Sequence, residues 1–379
     1  MLESHMCDNI NRRLWLVGLV NFLLGFATQG SNLFVPLLGA QLGASDSQVG
    51  LVGAVYGAAF LLSSLVSGWK SDSIGRLAFV RWGLLVSSAA FAAQLLADSV
   101  VLLMLMRGMV GFALGITTAA AIAYAFECGI DMGKFSSYGS LGWIFGAMAA
   151  ALVEDIYLLF LISFVICLVA FIASLFFQET AALRHTLSPK LFQVLLRNNR
   201  IYFAVFLRHL GATAVWVILP LYLSSLGVSK FWIGLLWGVN FAVQFIVMRY
   251  LEHYSEYKVF AFGQALSFFV FVVFAFVTGK LSLVLVMALL GVAWSCLYVG
   301  ALLIVLRSGE ERGTSSGIFQ STLNLCNALG PLLGGLIAES FSYRSVLFFA
   351  AALSVAGMFI AIPAKSKEPG LEQTVKTKI

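Results

Sequence analysis

Apolar runs of about 20 residues recur from one end of this chain to the other, and nothing limits its fold more. Cutting at charged and polar punctuation gives twelve spans: roughly 14–40, 47–69, 77–97, 99–125, 132–152, 155–177, 199–225, 231–250, 258–278, 281–306, 313–339 and 343–363. About 20 residues is what a helix needs to cross a bilayer, so the chain reads as an all-α polytopic membrane protein. Composition agrees: of 379 residues, 61% are hydrophobic and 11% charged, where soluble domains carry about 25% charged residues. Little is left for a soluble domain. The longest polar connector, "QETAALRHTLSPKLFQVLLRN" (178–198), falls at mid-chain, dividing it into bundles at 1–178 and 199–379 around a linker at 179–198.

Charge supplies orientation. With the N terminus placed in the cytoplasm, 18 of the 23 Lys and Arg residues fall on that side, including Arg12, Arg13, Lys70, Arg76, Arg81, Arg184, Arg197 and Lys365. Lys230, Lys280 and Arg344 fall outside, while Arg107 and Arg208 lie within spans. This positive-inside bias predicts both termini in the cytoplasm and a cell-membrane location. It also accounts for the net charge of +6 without nucleic acid, for which no basic stripe with interleaved aromatics is present. Cys7, Cys128, Cys167, Cys296 and Cys326 have no metal-ligand spacing and read as small apolar packers. The run after Arg12 and Arg13 continues through Pro36 without a small-residue cleavage site, so it reads as a retained first span.

The chain also repeats itself. "VPLLGAQLGASDSQVGLVGAV" (35–55) and "LPLYLSSLGVSKFWIGLLWGV" (219–239) align without gaps at a shift of 184, matching Pro36 to Pro220, Gly43 to Gly227, Ser45 to Ser229 and Gly50 to Gly234. "GSLGWIFG" (139–146) echoes "NALGPLLG" (327–334), pairing Gly142 and Gly146 with Gly330 and Gly334. Small residues four apart let helices approach closely, so spans 5 and 11 are expected to pack tightly. Two six-span halves in parallel repeat suit a carrier that rocks its halves around a central site.

At "GWKSDSIGRL" (68–77) the residues resemble a known signature, a Gly, three residues, Asp, two residues, then Gly-Arg, filled by Gly68, Asp72, Gly75 and Arg76. The usual neighbouring basic residues are replaced by Ser73, Leu77 and Ala78. With "RGMVG" at Arg107 and Gly111, "GSLGWIFG" in span 5 and "GTSSGIFQSTLNLCNALGPLLGG" in span 11, the chain resembles the major facilitator superfamily over nearly its whole length. The counterpart around "RYLEHYSEYK" keeps only an acid, Glu252. The resemblance implies two pseudo-symmetric six-helix bundles and a conformational latch: Asp72 caps the start of span 11 and Arg76 pairs with Glu127.

Ionisable side chains inside spans cost roughly 2.5–3.5 kcal/mol on insertion scales and are functional candidates. Here they are Arg107, Arg208 and His209, while no Asp or Glu falls in the middle third of any span. Arg208 has no counterpart in the repeat, where Leu24 stands. Around them the cavity-lining spans offer Asn21, Thr28, Gln29 and Asn32, then Trp216, Trp237, Asn240, Gln244, Trp294, Tyr298, Gln320, Asn324 and Asn327. We take Arg107, Arg208, His209, Gln29, Asn32, Trp216, Trp237, Asn240, Trp294, Tyr298, Gln320 and Asn324 as the candidate substrate site. Amides and indoles suit a solute with polar groups and a flat apolar body. His209 offers a proton switch.

The expected function is secondary or facilitative transport of a small organic solute, tilted to anionic or polar metabolites, by alternating access. A proton or an exchanged solute would be the coupling partner, and the chain would act as a monomer without cofactor or metal. The alternative is efflux of hydrophobic compounds by proton antiport. A membrane enzyme needs a convergent acid, base or metal set that these spans lack. No P-loop is present, which argues against ATP-driven transport by this chain.

Overall fold

A computed structural model describes residues 2–178, 191–309 and 312–361. The central part of the linker, the tail from 362 (with Lys365), Arg184, and the side chains of Asp72, Glu252 and residues 312–314 lie outside the described residues, as do the surroundings of Gly68. Among the described residues, twelve helices are long and apolar enough to cross a membrane.

The first half comprises α1 (Leu2–Asn32), α2 (Val35–Gln41), α3 (Asp46–Ile74), α4 (Arg76–Ala93), α5 (Val100–Glu127), α6 (Met132–Val153) and α7 (Ile156–Ser174). After a short α8 (Leu191–Arg197) come α9 (Asn199–Ser225), α10 (Lys230–Met248), α11 (Glu256–Phe274), α12 (Lys280–Arg307), α13 (Arg312–Ser340) and α14 (Tyr343–Ala361). The first apolar run, read as one span, is two helices. Pro36 has no N–H to give to the Asn32 carbonyl and its ring crowds that oxygen, so α1 stops at Asn32 and α2 restarts the spiral with Pro in its first turn. Side-chain caps set other starts. Ser45 and Gln48 form a reciprocal capping box on α3, Asp131 accepts from the Lys134 N–H, and Asp155 accepts from the N–H groups of Tyr157 and Leu158. Between α3 and α4 the chain turns at Gly75, whose φ of 117° is open to glycine but strained for other residues.

Each half is a six-helix bundle. In the first, α1 packs on α6 and α7, α3 on α5, and α4 on α5 and α7; in the second, α9 packs on α13 and α14, α10 on α12, and α11 on α12 and α14. The halves meet along two seams, α3 with α13 and α6 with α10, which the internal repeat makes equivalent. The glycines four apart sit within the halves. A Cβ on Gly146 would lie 2.6 Å from the Phe26 carbonyl oxygen on α1, and one on Gly142 would collide with that of Phe22. On α13, a Cβ at Gly330 would strike Thr213 and one at Gly334 the Ala214 carbonyl, both on α9. Gly142→Ala and Gly334→Ala are each expected to lower stability by about 1–3 kcal/mol through overpacking. Denaturant unfolding followed by circular dichroism in detergent would measure this.

Candidate functional site

The turns after α3, α5, α10 and α12 share one face with the linker; the turns around 42–45, 97–99, 154–155, 226–229 and 275–279 form the far face. Midway between them, aromatic rings run from one half into the other. Trp143 on α6 meets Phe241 (5.3 Å between centroids), Phe241 stacks on Trp237 (5.3 Å), and Trp237 lies 6.5 Å from Trp216. Trp216 stands edge-on to His209 (5.1 Å), His209 stacks on Trp294 (4.8 Å), and Tyr298 and Phe319 continue the row at 5.4 and 5.5 Å. Gln320 Nε2 donates to the Tyr298 hydroxyl at 3.3 Å. Candidate residues from α9, α10, α12 and α13 are therefore gathered into one cluster. Trp143, Phe241 and Phe319 belong to it but escaped notice in sequence, where an aromatic in an apolar span is indistinguishable from a surface ring such as the exposed Trp82.

Arg208 closes the cluster from behind. It is fully buried, its Nε donates to Ser267 Oγ at 2.8 Å, and its guanidinium carbon lies 5.4 Å from the Trp294 ring centre and 5.6 Å from that of Phe271. Among the described residues its Nη1 and Nη2 have no hydrogen-bond partner, nor do His209 Nδ1, Trp216 Nε1 and Trp237 Nε1. Five buried nitrogens on four neighbouring side chains thus await partners. A guanidinium left in this condition costs several kcal/mol.

Arg107 is placed differently. Its Nη1 donates to Gln94 Oε1 at 3.0 Å, its Nη2 to Asn32 Oδ1 at 2.6 Å, and it lies 4.5 Å over the Tyr56 ring. All three partners belong to the first half, so Arg107 ties the end of α1 to α3 and the end of α4. Gln94 sits in a single 3-10 turn and carried no sequence signal for this part. The amides also spread out: Asn240 donates to the Met287 carbonyl, Asn324 crosses the seam to Ser64 Oγ at 3.1 Å, and Gln29 packs beside Gly146.

On the linker face, Arg76 Nε donates to Glu127 Oε1 at 3.0 Å, joining α4 to α5. The second half carries the same pair with charges exchanged, Arg307 Nη1 to Glu256 Oε2 at 3.0 Å, with the partners again 51 residues apart. On the far face the halves are closed. Glu339, ending α13, accepts from the Ser47 N–H in the first turn of α3 (2.9 Å) and from the Ser45 hydroxyl (3.2 Å), while Tyr343 donates to Asp46 (3.2 Å). At the other seam, Lys230 at the start of α10 donates to the Glu154 carbonyl that caps the end of α6, at 3.1 Å. An acid on a helix N-terminus and a base on a C-terminus both match the helix dipole. Between them lies an open crevice of about 600 Å³ lined by Gln41, Ser225, Lys230 and Tyr343. Glu339→Gln is expected to weaken the closure severalfold, read as longer distances between spin labels at Gln41 and Ser225 in a background without native cysteines.

Set against known proteins, the sequence profile of the Major Facilitator Superfamily matches residues 17–325 and again 201–378. The chain belongs to the Major Facilitator Superfamily. Among its relatives is the multidrug resistance protein MdtG of Proteus mirabilis (strain HI4320), 24% identical over 373 residues that cover 90% of this chain and 93% of the relative. MdtG of Citrobacter koseri is 25% identical over 377 residues, with 91% and 93% covered. The fold matches the human organic anion transporter MFSD10 with a TM-score of 0.73 at 16% identity, covering 93% of this chain and 99% of that one. It matches the nucleoside transporter NupG with a TM-score of 0.69 at 19% identity, covering 93% and 98%. This superfamily member is an integral protein of the cell membrane and a transporter of small solutes, not an enzyme.

Proposed function

We propose that the chain carries a small organic anion with a flat apolar body across the cell membrane by alternating access. One observation carries the choice of charge: Arg208, buried at mid-membrane, presents two guanidinium nitrogens without partners beside His209, Trp216 and Trp237. A carboxylate or similar group would satisfy the fork, and the rings would take a planar body. That a human organic anion transporter shares the fold is consistent with this reading. By the distribution of Lys and Arg, the linker face is the cytoplasmic one. The far-face closure then corresponds to a carrier shut to the outside. Asp72 works as a latch on the inner side, with Arg76–Glu127 bracing its turn from within the first half, and both seams lie within one chain, so a monomer suffices.

A second reading is efflux of hydrophobic compounds, favoured by the row of rings and by the multidrug resistance relatives. Three probes with one ring system separate the two: 1-naphthoate, 1-naphthalenemethanol and 1-naphthylmethylammonium, offered to proteoliposomes in counterflow. The anion reading expects 1-naphthoate to be exchanged at least tenfold faster than the other two. Faster exchange of the ammonium compound would overturn it in favour of cation efflux.

A further inference from the structure

His209 stands where a proton and the cargo of the proposed site would meet. The imidazole and the Arg208 guanidinium both lie against the Trp294 ring, at 4.8 Å and 5.4 Å, and His209 Nδ1 is buried without a partner. Every helix packed against α9 bears on how His209 takes up a proton. On α9 itself the adjacent charge is Arg208, with Arg200 and Tyr202 near its start and Tyr222 near its end. On α12 the titratable groups are Cys296 and Tyr298 between the terminal Lys280 and Arg307. On α13 they are Arg312 as its first residue, Cys326 and, in the last turn, Glu339; α14 opens with Tyr343 and Arg344. On α10 they are Lys230 at its start and Arg249 just past its end, on α3 Tyr56 (under Arg107), Asp46 in the first turn and Lys70 and Asp72 towards its end, on α8 Arg197, and on α2 none. Midway along these helices the only non-histidine groups among the described residues are a guanidinium, phenols and thiols, with no carboxyl.

This inventory decides the sign of coupling. Where a carboxylate hosts either a proton or a cation, each excludes the other, and transport is exchange. Here a second positive charge on His209 is opposed by Arg208, and an incoming anion removes that opposition. By linkage each then strengthens the binding of the other. Resting on the anion reading above, we infer that the site takes up one proton on His209 together with each monovalent anion, so that the two cross together as an electroneutral symport. The protonated ring would be held on the face of Trp294, which favours cations. An acidic exterior would drive accumulation of the anion inside.

The test uses the full chain and 1-naphthoate, whose carboxyl is ionised throughout pH 6–8, so that protons taken up belong to the protein. Calorimetry in two buffers of different ionisation enthalpy is expected to count about one proton absorbed per anion bound. Affinity should tighten by up to about tenfold per unit as pH falls. His209→Gln is expected to remove both the proton uptake and the pH slope. Because the proton count comes from the wild-type chain, it holds even if the variant fails to fold. Binding of 1-naphthoate without proton uptake, or with proton release, overturns this inference and leaves the anion reading standing. No binding of 1-naphthoate at any pH overturns both.

Discussion

Replacing Gly50 and Gly234 together by tryptophan is expected to stop transport while leaving the chain folded. The two glycines match each other in the internal repeat, and each sits at the far-face end of a seam between the halves. A Cβ on Gly50 would lie 2.5 Å from the Pro331 carbonyl oxygen and 3.1 Å from Gly335 Cα on α13. One on Gly234 would lie 2.6 Å from Ala151 Cβ and 2.8 Å from the Ala147 carbonyl oxygen on α6. Backbone stands on the other side, so no rotamer change makes room for an indole; the seams must part. The contacts inside each half, such as Gly142 on α1 and Gly334 on α9, are untouched, and helicity and cooperative melting should persist. Counterflow of 1-naphthoate should fall at least 100-fold, because a carrier that cannot close one face cannot return. Spin labels at Gln41 and Ser225 should report a longer, narrower distance distribution. Substantial counterflow in the double variant would show that these seams do not separate during the cycle.

These positions were visible in the sequence because glycine and proline answer to backbone geometry, which apolar drift cannot imitate. Pro36 and Pro220 stand at matched positions yet act differently: the first ends α1, while the second lies inside α9 without breaking it. Hydropathy saw one run where there are two helices. Charge was legible only where identity was kept. Arg76–Glu127 follows from a family resemblance, but Glu256–Arg307 was hidden, since exchanging the two charges preserves the ion pair and erases the match. A search for compensated charge at fixed separation would find it. The far-face closure escaped for another reason. Glu339 and Lys230 look like ordinary span ends, and only assembly reveals which helix terminus each one meets.

The two buried arginines, set apart in sequence by the motif around Arg107 and by the missing repeat counterpart of Arg208, differ further in surroundings, which leads to opposite expectations for the same substitution. Arg107→Met should destabilise the chain by about 3 kcal/mol, because Asn32 and Gln94 lose charged donors and Tyr56 its cation. Binding of 1-naphthoate by the folded fraction should change little. Arg208→Met breaks one hydrogen bond, to Ser267, gives up the looser ring contacts with Trp294 and Phe271, and removes a charge whose other nitrogens are unpartnered. Replacing an uncompensated buried charge with an apolar side chain of similar length is often neutral or stabilising by a kcal/mol or more. Stability is therefore expected to hold or rise by about 1 kcal/mol. The affinity for 1-naphthoate should fall about 10- to 100-fold as its charge-assisted bonds are lost. Denaturant unfolding beside calorimetric titration would read both quantities on each variant. A chain tuned only for stability would not keep Arg208 in this state; one tuned for an anion has reason to hold a guanidinium ready and to accept the strain until cargo arrives. If both substitutions destabilise equally and neither affects binding, Arg208 is a second brace like Arg107, and the charge of the cargo must be read elsewhere.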